Sequence, residues 1–247
     1  MTPVAQPGVD RPAFYALQPG GWRDLVTLLH PPYTAWHLSY VALGAAVAPV
    51  VHTDRLLAAL GAFFLGVGVC AHALDELHGH PLHTRLSDRA LVALAVVGLA
   101  GAVAIGVAGV AIVSVSLVPF VAAGAFIVLA YNLELFGGRF HSDFWFALAW
   151  GAFPAFTSYW ANALTLRFEG VAVAAGCFGL SLAQRRLSTP ARELRRRTVS
   201  VSGSQTLDDG STRDLTADGM AAPLDGALRA LSMALVLIAA AAVAARL

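Results

Sequence analysis

Residues 70–84, CAHALDELHGHPLHT, hold four histidines, an aspartate and a glutamate within fifteen positions. They follow directly on the apolar run LLAALGAFFLGVGV. If a helix continues from that run to about Leu77, His72, Asp75 and Glu76 stand at i, i+3 and i+4 and share one face. Gly79 then suits the helix end, and Pro81 biases His80 toward an extended backbone. The pattern is a helix end carrying three ligand-type groups, followed by a loop carrying up to three more. Two chemistries follow. Asp75 and Glu76 could hold Mg²⁺ through carboxylate oxygens, with a phosphate completing the shell. Alternatively, histidines such as His72 and His80, together with a carboxylate, could bind Zn²⁺ or Fe²⁺. A solvated loop at headgroup level is the plain alternative.

A second polar cluster, QRRLSTPARELRRR, covers 184–197. Guanidinium forks match phosphate oxygens, and Arg185, Arg186 and Arg192 lie nearest the preceding apolar run. Thr189 and Pro190 suit an N-cap and a first helical residue, so a helix starting there would put Arg192 and Arg196 on one face, with Arg195 adjacent. An orientation signal, or contact with anionic lipid, explains such a run equally well.

The elements that position these groups are apolar. The chain is 57% hydrophobic and 13% charged, about half the charged share of an ordinary soluble domain. Several stretches approach the ~20 residues that cross a bilayer as helix. The expectation is an all-α polytopic transmembrane bundle of about seven spans: 35–52, 56–74, 90–110, 112–133, 143–163, 168–187 and 224–245. Residues 1–34 form an N-terminal segment in which WRDLVTLLH suits a short interfacial helix, and 35–187 form a six-helix core. A polar loop fills 188–223, its 198–223 part expected to be mobile, and 224–247 form a last span. Every basic residue is arginine. With the N-terminus inside, thirteen arginines are cytoplasmic, and only Arg55, Arg167 and Arg246 lie outside. The histidine and carboxylate chemistry then gathers at the cytoplasmic end of a multi-pass inner-membrane protein.

The net charge of +1 points to no partner by itself, and no nucleic-acid partner is expected. The expected partners are lipids, one of them a substrate. Cys70 and Cys177 lie in apolar runs and imply no disulfide framework. There is no P-loop, dinucleotide fingerprint, Ser-His-Asp order or CxxC pair.

The order of motifs over 30–200 resembles the UbiA superfamily of membrane prenyltransferases. HPPYTAWHLSYVALGAAVAP, 30–49, resembles that family's first helix, with its Pro-containing opening. HALDELHGHPLHTRLS, 72–87, is similar to the family's second-helix motif that binds Mg²⁺ and prenyl diphosphate, with His80-Pro81-Leu82 where the family has Arg-Pro-Leu. LAYNLELFGGRF, 129–140, resembles its Tyr-containing helix end and supplies Tyr131 and Arg139. GAFP, 151–154, falls in its Gly/Pro-containing fifth helix. The resemblance implies a transferase or cyclase acting on an isoprenoid diphosphate. His72, Asp75 and Glu76 would be catalytic, and His72, Asp75, Glu76 and His80 would hold the metal. Tyr131, Arg139, Arg185, Arg186 and Arg192 would bind substrate. The family's second aspartate motif has no counterpart here, since the arginine cluster stands in its place. A Zn²⁺ or Fe²⁺ lipid enzyme and a non-catalytic lipid-binding protein are the other two readings.

Overall fold

A computed structural model of the chain describes residues 12–247. The expectations for residues 1–11, including the cytoplasmic placement of Arg11, lie outside the described residues.

Capping residues and prolines set several of the helix starts. After a short helix α1 (Trp22–Leu28), α2 (Pro31–Ala46) opens on two prolines that sit where helical N–H groups have no partner anyway. That start precedes the expected 35, and the helix stops at Ala46, ahead of Pro49. The long helix α3 (Thr53–Leu77) follows, then α4 (Asp88–Ile112), whose N-cap Ser87 accepts from Ala90 N–H. Helix α5 (Val115–Asn132) comes next, and α6 covers 143–163 behind the N-cap Ser142. The last two are α7 (Phe168–Arg196) and α8 (Ala217–Ala244), the latter capped by Thr216. Helix makes up 73% of the structure, so the all-α expectation holds.

Four helices, α3, α4, α5 and α8, are long and apolar enough to cross a membrane. Helices α2, α6 and α7 occupy the other expected places but differ in kind. Helix α2 has only 16 residues and is heavily buried. A π-helical turn at Leu148–Ala152 breaks α6. Helix α7 runs on through the arginine cluster instead of ending at 187. The restart expected at Thr189-Pro190 therefore does not occur. Pro190 sits inside a continuous helix and costs it one N–H at that turn.

The polar segment after α7 is more ordered than expected. Ser204–Thr206 pairs antiparallel with Thr212–Asp214 as an exposed hairpin, β1 and β2. Gly210, at φ +81°, and the Asp209 carboxylate accepting from Ser211 N–H close its turn.

Helix α2 is the hub. It packs on α6 and α8, while α7 lies against both of those. Trp36 and Tyr40 of α2, Ala155 of α6, Cys177 of α7 and Leu235 of α8 form the core between them. A second core joins α3, α4, α5 and α6 through Val67, Leu74, Leu91, Ile127 and Trp150. The α2–α6 contact is backbone-close: a Cβ on Gly44 would fall 2.0 Å from the Ala155 carbonyl oxygen. Only glycine allows that approach, as in small-residue packing between membrane helices.

Candidate functional site

Two helices change pitch at the same level of the bundle. Helix α3 is π-helical over Phe64–Ala71, and α6 over Leu148–Ala152. Such turns free backbone carbonyls and recur at functional sites. Here histidines take up the carbonyls. In an α-helix the Trp150 carbonyl would accept from residue 154, but that residue is Pro154, which has no N–H. The His37 Nδ1–H, reaching over from α2, donates to it at 2.8 Å. On α3, the His72 Nδ1–H donates to the Gly68 carbonyl at 3.1 Å.

Beneath these turns lies a cavity of about 290 Å³ with a wall of mixed polar and apolar character. Helix α7 gives it a helical stripe: Gln184, Arg185, Ser188, Ala191, Arg192, Arg195 and Arg196. Helix α3 adds Val67, Ala71, His72 and Asp75, and α5 adds Tyr131. The chain before α2 closes it with Phe14, Tyr15 and His30, and α8 contributes Asp225.

The charges are unequally matched. Arg195 is paired with Asp225, which is 5% exposed. Arg185 donates from Nε to Asp143 at 2.9 Å and lies over the Phe146 ring. Arg196 donates to the Pro12 carbonyl at 3.0 Å. Arg192 meets only the Thr189 hydroxyl, at 3.3 Å, and has no carboxylate within ion-pair distance among the described residues. Burial, then the nearby Arg185 and Arg196 charges, hold its guanidinium below its ordinary range. A crowded cation with no carboxylate in ion-pair contact, opposed only at longer range by Asp75, leaves this side of the cavity set for an anion. Four buried polar atoms of residues that line the cavity also lack partners among the described residues: His30 Nε2, Tyr131 Oη, Gln184 Oε1 and Arg195 Nε.

A second, almost wholly apolar cavity of about 160 Å³ runs between α3, α4, α5 and α6, lined by residues such as Ala62, Phe63, Leu99, Phe120 and Ala125. Val67 and Trp150 border both cavities. Residues of the two π-helical turns thus stand between a charged chamber and an apolar crevice.

Of the expected site residues, His72, Asp75, Tyr131, Arg185 and Arg192 come together on the charged chamber. The other four do not. Glu76 is fully buried (0% exposed), and its carboxylate serves the loop that follows. It accepts from Leu82 N–H at 2.9 Å, Thr84 N–H at 3.0 Å and the Thr84 hydroxyl at 2.8 Å. His80 lies on that loop, with Nε2–H donating to Asp88 at 2.9 Å. Its backbone is left-handed, at φ +51°, and not extended, because the loop folds around the Glu76 carboxylate. Arg139 is exposed on the turn after α5, and His141 stacks on Tyr131 instead, with ring centroids 4.5 Å apart. Arg186 is exposed on the opposite face of α7 from the cavity stripe.

The metal set therefore does not assemble. His72 and Asp75 reach the chamber, Glu76 and His80 do not, and among the described residues no group of three or more His, Cys, Asp or Glu is placed to hold an ion. Asp225, the other carboxylate on the wall, is held by Arg195. These donors do not fit a dedicated Mg²⁺, Zn²⁺ or Fe²⁺ site.

Sequence reasoning passed over Tyr15, His30, His37 and Asp225 as site residues, and it set Arg195 and Arg196 beside Arg192 without naming them as substrate ligands. Asp225 carried a usable signal, since an ionisable group within an apolar helix is retained only with a partner. Compared with family models, characterised proteins and solved structures, the chain matches none.

Proposed function

We propose that the protein is a membrane enzyme for a long-chain lipid diphosphate, of which an isoprenoid diphosphate is the simplest example. The junction of the two cavities at Val67 and Trp150 carries the reading. A phosphorylated head would sit against Arg185, Arg192 and Arg196, and its chain would pass between the two π-helical turns into the apolar crevice. Each buried CH₂ adds about 0.8 kcal/mol, so head and tail bind jointly. Cleavage of the allylic C–O bond puts negative charge on the departing diphosphate. Fixed arginines stabilise that charge without reorganising. The cation left behind would be captured by an acceptor, which gives up a proton as the new bond forms, or by a double bond of the chain itself, the cyclised cation then losing a proton; the departed diphosphate is the nearest base in either case.

The UbiA-like, seven-span organisation belongs to this proposal. So does a cytoplasmic, inner-membrane placement of the arginine end, supported by the excess of arginines there over the far end, where Arg55 and Arg246 bond backbone carbonyls. Titration of purified protein in detergent with inorganic diphosphate and with farnesyl diphosphate tests the reading. Both should bind, the prenylated form more tightly. Arg192→Leu should weaken both, and Ala125→Trp in the crevice should weaken only the prenylated one. Equal affinity of Arg192→Leu and the native protein for both ligands would refute it.

A further inference from the structure

His30 has an unusual setting. It precedes Pro31 and holds a left-handed backbone, φ +46° and ψ +58°, which costs a non-glycine residue of order 1–3 kcal/mol. It is 7% exposed. One face of its ring stacks on His72, with centroids 4.1 Å apart and planes 18° apart. Its Nδ1 lies 2.7 Å from the Tyr15 hydroxyl. Its Nε2 has no partner among the described residues, although the residue lines the charged chamber.

The hydrogen between Tyr15 and His30 can be placed by elimination. If Nδ1 carried it, the Tyr15 hydroxyl hydrogen would need another acceptor, and none is present among the described residues. If Tyr15 donates, its hydroxyl and the His30 Nδ1 are both satisfied, and a neutral imidazole then carries its hydrogen on Nε2, which is left as the one unpartnered donor. The surroundings favour that state. Burial first, then the Tyr33 hydroxyl, raise the Tyr15 phenol and keep it protonated. Burial first, then His72, Arg196 and Arg192, hold the His30 imidazole well below its ordinary range and keep it neutral.

We propose that His30 is a substrate-binding residue of this chamber, a neutral donor whose Nε2–H, oriented by Tyr15, bonds an oxygen of the ligand's diphosphate. The inference rests on the lipid-diphosphate reading and assigns a direction to it. The arginines supply charge that many anions would satisfy, whereas one N–H fixed by a tyrosine and a stacked ring selects an oxygen at one position. Nothing need be protonated or released when the ligand binds. The donor stands ready as charge grows on the leaving oxygens. Tyr15 is a positioning residue, acting only through the imidazole.

The test uses the full chain, labelled with ¹⁵N-histidine in detergent micelles, and inorganic diphosphate as the probe. At pH 7 the His30 Nε2 resonance should be that of a protonated ring nitrogen, and it should move on addition of diphosphate. Tyr15→Phe should mix the two tautomers. His30→Ala should weaken diphosphate binding about ten-fold or more, the worth of one hydrogen bond to a charged group. His30→Gln, whose amide N–H falls near the Nε2 position, should restore most of it. A native protein with hydrogen on Nδ1 overturns the inference, as does His30→Gln binding no better than His30→Ala. If His30→Ala does not fold, the native tautomer and the His30→Gln affinity decide. Arg192→Leu separates the two ideas. If it weakens binding while His30→Ala binds normally, the chamber stands and the role of His30 falls; if it has no effect, the chamber reading fails.

Discussion

Replacing Glu76 should damage the fold and spare the ligand. The carboxylate is fully buried and accepts from two backbone N–H groups and one hydroxyl of the 78–84 loop. Glu76→Ala would leave three donors without an acceptor. Each orphaned buried donor costs about 1–3 kcal/mol. Allowing the Thr84 hydroxyl to turn elsewhere, the two backbone donors left total roughly 2–6 kcal/mol, a large part of the stability of an ordinary domain. Glu76→Gln is the finer probe. Its carbonyl can keep both Thr84 bonds, but its amide hydrogens then face Leu82 N–H, so about 2–3 kcal/mol should be lost. The assay is thermal unfolding in one detergent, with hydrogen exchange read at residues 78–84. Both variants should unfold earlier, Ala further than Gln, and the loop amides should lose protection first. Diphosphate affinity of the Gln variant, measured well below its unfolding temperature, should match the native protein. A metal or substrate ligand would behave in the opposite way. Glu76→Gln with native stability and abolished binding would refute the structural assignment.

Three further outcomes follow from the same geometry. Asp225→Asn should cost about 3–5 kcal/mol, because it leaves the Arg195 guanidinium buried beside a neutral amide; thermal melts of the variant and of the isosteric Asp225→Leu would show the charge component. Gly44→Ala should destabilise by about 1–3 kcal/mol, since its Cβ would meet the Ala155 backbone at 2.0 Å and force α2 from α6; unchanged melting would contradict that contact. For pH, the folded chain holds His30 neutral where an unfolded histidine would take up a proton. Stability is therefore full above about pH 6.5 and falls as pH drops below it, by up to about 1.4 kcal/mol per pH unit for this one group. Melts from pH 7.5 to 5 should show at least that slope, and His30→Gln should reduce it by the share of one histidine.

Much of the fold was legible in the sequence because apolar length and capping chemistry are local. The expected span 143–163 matches α6, which Ser142 caps, and the expected 90–110 lies within α4, which Ser87 caps. The end of α3 at Leu77 follows from Gly79 in the same way. The arginine stripe was half legible: Arg192 and Arg196 do share a face, but through a helix that Pro190 fails to interrupt.

What escaped the sequence is rotational phase. Neighbouring residues on a helix point about 100° apart, so at the edge of a stripe one of two neighbours is lost: Asp75 reaches the chamber and Glu76 does not, and Arg185 reaches it and Arg186 does not. Composition treats the members of each pair as equals. The choice between them depends on how far the helix has turned by the time it reaches them, and on α3 that angle is reset by the π-helical turn over Phe64–Ala71. No propensity rule announces such a turn. On α6 there was a clue, because Pro154 leaves the Trp150 carbonyl in need of a donor from elsewhere. His37 supplies it from about a hundred residues upstream. The histidines therefore divide by function in a way that counting them could not reveal. His37 and His72 secure the two irregular turns, Glu76 holds the loop that carries His80, and the imidazole left with a free nitrogen on the chamber wall is His30, from a strained residue ahead of a proline outside the cluster that first drew attention.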